Sequence, residues 1–82
     1  MYGALSVTIH PMKIYMSRTI VFEYTNHRGE HSTRRAKPEF IQWGSNEYHK
    51  DDQWILEALD LDKKAMRSFA MRDMSNVRNV AP

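Results

Sequence analysis

The chain has 82 residues, 41% of them hydrophobic and 27% charged, with a formal net charge of +2 and no cysteine. That length allows one domain with a small core, and the composition excludes a disordered polymer, a disulfide-stapled fold and a thiolate metal site. No apolar run approaches the ~20 residues of a membrane-spanning helix, and the first ten residues lack the basic and apolar segments of a secretory leader, so the expected location is the cytoplasm.

Residues 1–15 read as an N-terminal extension or extra strand, with Met12 and Met16 as possible starts. Arg18 to Thr25 is β-branched and aromatic, and Ile20, Phe22 and Tyr24 alternate onto one face, which predicts a strand. Asn26 to Glu30 contains Gly29 and predicts a turn. His31 to Lys37 reads as the return strand of a hairpin ending at Pro38. Phe40 to Trp43, closed by Gly44-Ser45-Asn46, fits a third strand, and residues 46–52 a loop. From Gln53 to Met74 two readings stand. Trp54, Ala58, Leu61, Ala65 and Phe69 fall at helical spacing behind a capping Asp51 or Asp52. Alternatively, Trp54, Leu56 and Ala58 line one strand, Asp60 to Lys64 turn, and Arg67, Phe69 and Met71 line a second strand. Pattern alone leaves both open. Ser75 to Pro82 has no large apolar residue and is expected to fray. The domain is therefore drawn over residues 16–77, with 78–82 as a frayed tail.

Charge is unevenly distributed. Residues 1–37 carry a balance of +4, residues 38–64 one of −4, and residues 65–82 one of +2. Arg28, Arg34, Arg35, Lys37, Arg67 and Arg72 either converge on an anionic partner or form solvated faces. Arginine suits the first role because its planar fork of donors matches phosphate and stacks on bases. Trp43, Trp54, Phe22, Phe40 and Phe69 read as core, whereas Tyr48, in the loop, is the best candidate for an exposed stacking ring. His27 and His31 are four apart, a spacing that suits two metal ligands only on a helix, and Gly29 lies between them. No metal and no cofactor is expected. Asp51-Asp52 and Asp60-x-Asp62 fit turn and cap chemistry, and Ser45 lacks a nucleophile elbow. The chain is not expected to be an enzyme.

Several segments, in their order and spacing, carry a resemblance. They are IVFEYTNHRGE at 20–30, RRAKP at 34–38, WGS at 43–45 with Tyr48-His49, QWILEALDLD at 53–62 and RSFAMRDM at 67–74. Over Arg18 to about Val77 the chain resembles a WYL domain, and in particular the short stand-alone WYL-like proteins of bacteria and their phages. The tripeptide that names the family stands here as Trp54-Ile55-Leu56. The resemblance implies a mainly β fold, a small Sm-like or SH3-like barrel of about five strands. The α+β alternative keeps a helix at 52–72. It also implies a regulatory, ligand-sensing role through basic residues on the barrel, here Arg34 or Arg35, Arg67 and Arg72, with Tyr24 and Trp54 as aromatic candidates.

The expected function is recognition of an anionic ligand, single-stranded nucleic acid or a nucleotide. Arg34, Arg35, Arg67 and Arg72 would meet phosphate, and Tyr48 and Tyr24 would line the site. The alternative is a small phage-type accessory or inhibitor protein that binds a host protein, for example in counter-defence, using the acidic stretch from Glu47 to Asp62. A homo-oligomer paired through an exposed edge strand is a third possibility. No membrane partner is expected.

Overall fold

The alternation of Ile20, Phe22 and Tyr24 is kept in the structure, a computed structural model that describes residues 18–80. The extension expected at 1–15 lies outside the described residues. Strand β1 (Ile20–Thr25) buries those three side chains on one face. Asn26 then shapes the turn: its Oδ1 accepts the N–H groups of Arg28 and Glu30, both at 2.9 Å. Gly29 sits at φ 81°, a left-handed conformation that costs glycine little.

The chain returns as β2 (His31–Gly44). The strand expected to stop at Pro38 and the one expected at Phe40–Trp43 are a single strand of 14 residues. β1 pairs with it only as far as Ala36. Beyond that point β2 has one neighbour, which is why a proline without an N–H is tolerated there. The register slips between Pro38 and Phe40, leaving Glu39 without a partner. Such a bulge bends the strand. β2 thus pairs with β1 through its first half and with β3 (Gln53–Asp60) through its second.

β4 (Ala65–Ala70) pairs antiparallel with β3. Residues 53–70 are therefore a hairpin, and the helix alternative at 52–72 is overturned. Leu56, Ala58 and Asp60 are buried together at strand period. Asp60 also stops the chain locally, since its Oδ1 accepts the N–H groups of Asp62 and Lys63, both at 3.0 Å, and its carbonyl accepts that of Lys64 at 2.7 Å. Lys64 closes the turn at φ 56°.

A 3-10 turn, Met71–Asp73, leads into β5 (Met74–Asn79), which pairs with β1. The stretch from Ser75, expected to fray, is thus strand through Asn79, and the Val80 N–H reaches the Thr19 carbonyl at 3.0 Å. The sequence misleads there because backbone pairing, not apolar side chains, holds the strand. Sheet order is β4-β3-β2-β1-β5. One short turn joins the two edge strands, so the sheet curls until its edges approach. No ladder joins β4 to β5 among the described residues, and the sheet is open where a closed barrel was expected. Ile20, Phe22, Tyr24, Ala36, Leu56, Ala58, Phe69, Met71 and Met74 fill the inside of the curl.

Candidate functional site

Three aromatic rings stand edge to face within the curl. Phe69 lies 5.1 Å from Phe22 and 5.0 Å from Tyr24, centroid to centroid, at near-perpendicular angles. Arg34 enters from β2, on the same face as Phe22, its partner in the register. Its guanidinium carbon sits 5.8 Å from the Tyr24 centroid and 5.8 Å from that of Phe69, within cation–π reach. Arg34 Nε donates to Ser32 Oγ at 2.8 Å and Nη1 to Asp60 Oδ2 at 3.1 Å. The Asp60 side chain is 1% exposed and that of Arg34 is 19% exposed. Asp60 thus locks the guanidinium against the rings while its other oxygen holds the β3–β4 turn. Nη2 makes no hydrogen bond among the described residues.

Tyr24 lies buried beneath Arg34. Its hydroxyl accepts the Ala70 N–H at 2.9 Å, which ties β1 to the end of β4. Burial pushes the phenol above its ordinary value of 10.0; the Ala70 hydrogen bond opposes this, the Asp73 charge adds to it and Arg34 opposes it. A raised value means the folded state keeps a proton that the unfolded chain has lost. Stability is therefore full below pH 10.0 and falls as pH rises toward the folded value. Tyr24→Phe should cost about 1–3 kcal/mol at neutral pH, because it leaves a buried N–H unpaired. It should also abolish the alkaline fall. Urea midpoints at about pH 8 and about pH 11 test both statements; an equal alkaline loss in the variant would refute the assignment.

The other expected site residues divide. Arg67 is exposed on β4 opposite Ala58, two residues from Phe69 and on the same face. It makes no ion pair among the described residues. Arg35 points to the opposite face of β2 from Arg34. It pairs with Asp62 at 3.7 Å, with both side chains more than half exposed. Arg72 lies in the 3-10 turn, 4.0 Å from Asp51. Tyr48, in the β2–β3 loop, is 57% exposed and faces His27, with centroids 5.2 Å apart. Trp54 is half-buried against Trp43 and belongs to the packing of the core. The structure thus sets Arg34 against Tyr24, leaves Arg67 exposed on β4, puts Arg72 beside Asp51 and Tyr48 beside His27, and turns Arg35 to the other face of β2.

Asp60 and Phe69 are the site residues that sequence reasoning missed, having been read as a turn residue and as core. Only a partner 26 positions away reveals the role of Asp60. The acidic stretch, expected as a possible host-facing surface, is largely engaged internally: Asp51 with Arg72, Glu57 with Gln42 and Ser68, Asp60 with Arg34, and Asp62 with Arg35. Among the described residues no three His, Cys, Asp or Glu side chains gather as a metal site. No helix among them is long and apolar enough to cross a membrane.

A comparison with curated proteins found no match. The WYL domain profile matches residues 13–79, most of the chain. With that match spanning every strand from β1 to β5, the chain belongs to the WYL domain family.

Proposed function

We propose that this chain is a non-enzymatic sensing module that binds an anionic, nucleotide-type ligand through Arg34, held over Tyr24 and Phe69, with Arg67 as a further cation. WYL domains are generally ligand-sensing regulatory domains, not catalytic ones, and they bind nucleic acid or nucleotide-derived ligands. The observation that carries the reading is the state of Arg34. Its guanidinium is held by Asp60 and Ser32 over two aromatic rings, with Nη2 left to donate. A donor fixed before binding loses little entropy when phosphate arrives. Arg67, exposed on β4 and without an ion pair among the described residues, supplies long-range attraction.

Fluorescence anisotropy with a labelled oligonucleotide, titrated across a salt series, tests the proposal. Affinity should fall as salt rises, because phosphate-bound cations are released. Arg67→Ala should weaken binding to all sequences alike and flatten the log–log salt slope by about 0.7, the single-strand value for one lost contact. Affinity independent of salt would rule out the mechanism.

A further inference from the structure

Phe40 reads as core from its residue type, yet it is 51% exposed. The cause is the bulge at Glu39. Ala36 and Pro38 are buried on the inner face of β2, and simple alternation would send Phe40 after them. The extra residue between Pro38 and Phe40 reverses the alternation. Phe40 falls opposite Glu57 on the outer face, while Ile41 falls opposite Leu56 and packs against the core. A bulge gives up ladder hydrogen bonds, and a ring half in solvent offsets little of that loss.

The ring has apolar company. Leu59 lies two residues along β3 from Glu57 on the same face, opposite Lys37 of β2 and Met66 of β4. Leu59 is half-buried and Met66 is 50% exposed. The other end of the outer face is already packed. Ile55 and Ala70, opposite each other there, are buried although they lie outside the inner cluster. His49 of the β2–β3 loop is also buried, with Nε2 3.3 Å from the Ser68 carbonyl. Arg34 is on the inner face, across the sheet from Phe40.

The charges beside this patch match those of a second copy. Lys37 is opposite Leu59, and Phe40 is opposite Glu57, at neighbouring positions of one face. One diagonal, Phe40 to Leu59, is apolar. The other, Lys37 to Glu57, carries one charge of each sign. Neither Lys37 nor Glu57 makes an ion pair among the described residues. Glu57 is held in place by Gln42 Nε2 at 2.9 Å and Ser68 Oγ at 2.7 Å. A two-fold axis along the apolar diagonal stacks Phe40 on Phe40 and Leu59 on Leu59. The same axis brings each Lys37 over the Glu57 of the other copy. An isologous contact requires such self-complementarity, whereas a rim of one sign would call for a partner of the other.

We propose that a second copy of this chain docks on the outer face through Phe40, Leu59 and Met66, giving a two-fold dimer kept in register by reciprocal Lys37–Glu57 pairs. The contact is face to face, unlike the pairing of edge strands, and it leaves both Arg34 sites on the far sides of the two sheets.

Sedimentation equilibrium of the full chain from about 10 μM to about 1 mM tests this, since a patch of this size makes a weak contact. Wild type should move from the mass of one chain toward that of two across the range. Phe40→Ala removes the ring twice per dimer and should raise the dissociation constant by about 10-fold or more, with the melting temperature of the dilute protein unchanged. Lys37→Glu and Glu57→Lys should each stay monomeric alone, because like charges then face each other. Their equimolar mixture should dimerise, because opposite charges meet again in both pairs. The mass of one chain at every concentration overturns the proposal. So does association untouched by Phe40→Ala and Lys37→Glu, which would put the contact elsewhere, as at an edge strand. If Glu57→Lys does not fold, the Phe40→Ala and Lys37→Glu comparisons decide.

Discussion

Asp60→Ala is expected to cost about 3–5 kcal/mol, the usual loss when one partner of a buried ion pair is removed. For a chain of 82 residues, total stability is about 4–12 kcal/mol. The substitution should therefore leave much of the protein unfolded at moderate temperature. Two losses combine. Arg34 keeps its charge in a site where it is 19% exposed and has no other carboxylate partner among the described residues. The N–H groups of Asp62 and Lys63 lose the oxygen that organises the β3–β4 turn. Asp60→Asn separates the contributions, since its amide oxygen can still accept both turn N–H groups while the charge is gone. It should fall between wild type and alanine. Asp62→Ala, which removes only the exposed Arg35 pair, should cost less than about 1 kcal/mol. Urea unfolding followed by the fluorescence of Trp43 and Trp54 measures all three. Asp60→Ala within about 1 kcal/mol of wild type would show that the buried pair does not hold the fold.

Phe69→Ala should cost a similar amount, about 3–5 kcal/mol, through lost burial and the cavity left behind. Phe69 is 2% exposed and touches both other rings of the core edge to face. It joins β4, an edge strand, to β1 across the curl, so its removal loosens the approach of the sheet edges as well as the core. Met66, on the same strand but 50% exposed, should tolerate alanine with a change of about 0.5 kcal/mol or less. A thermal melt comparing the two variants is sufficient. Similar melting temperatures would mean that β4 is held by its ladder with β3 and not by the ring cluster.

The two residues illustrate why part of the site was legible and part was not. Arg34, Tyr24 and Arg67 were visible because basic and aromatic residue types announce anion chemistry wherever they stand. Which arginine meets the rings was not visible, because Arg34 and Arg35 are adjacent in sequence and opposite in direction. Alternation sends one to the rings and the other to solvent, and only the position of β1 decides which. Nor did residue type say that Arg72, in the 3-10 turn, would meet Asp51, or that Tyr48, in the β2–β3 loop, would face His27.

By itself, the sequence determined β1 and the Gly29 turn, since β-branched alternation and a left-handed glycine are local preferences that need no partner. It left residues 53–70 undecided, because good helix formers at helical spacing also satisfy a buried central strand. Tertiary structure chose the strand: β2 offered backbone partners along the whole of β3, and Arg34 gave Asp60 a charge to meet at the point where a helix would have continued. It also merged two expected strands across Pro38 and recruited the apolar-poor tail as β5, because both outcomes rest on which neighbouring backbone is free to pair.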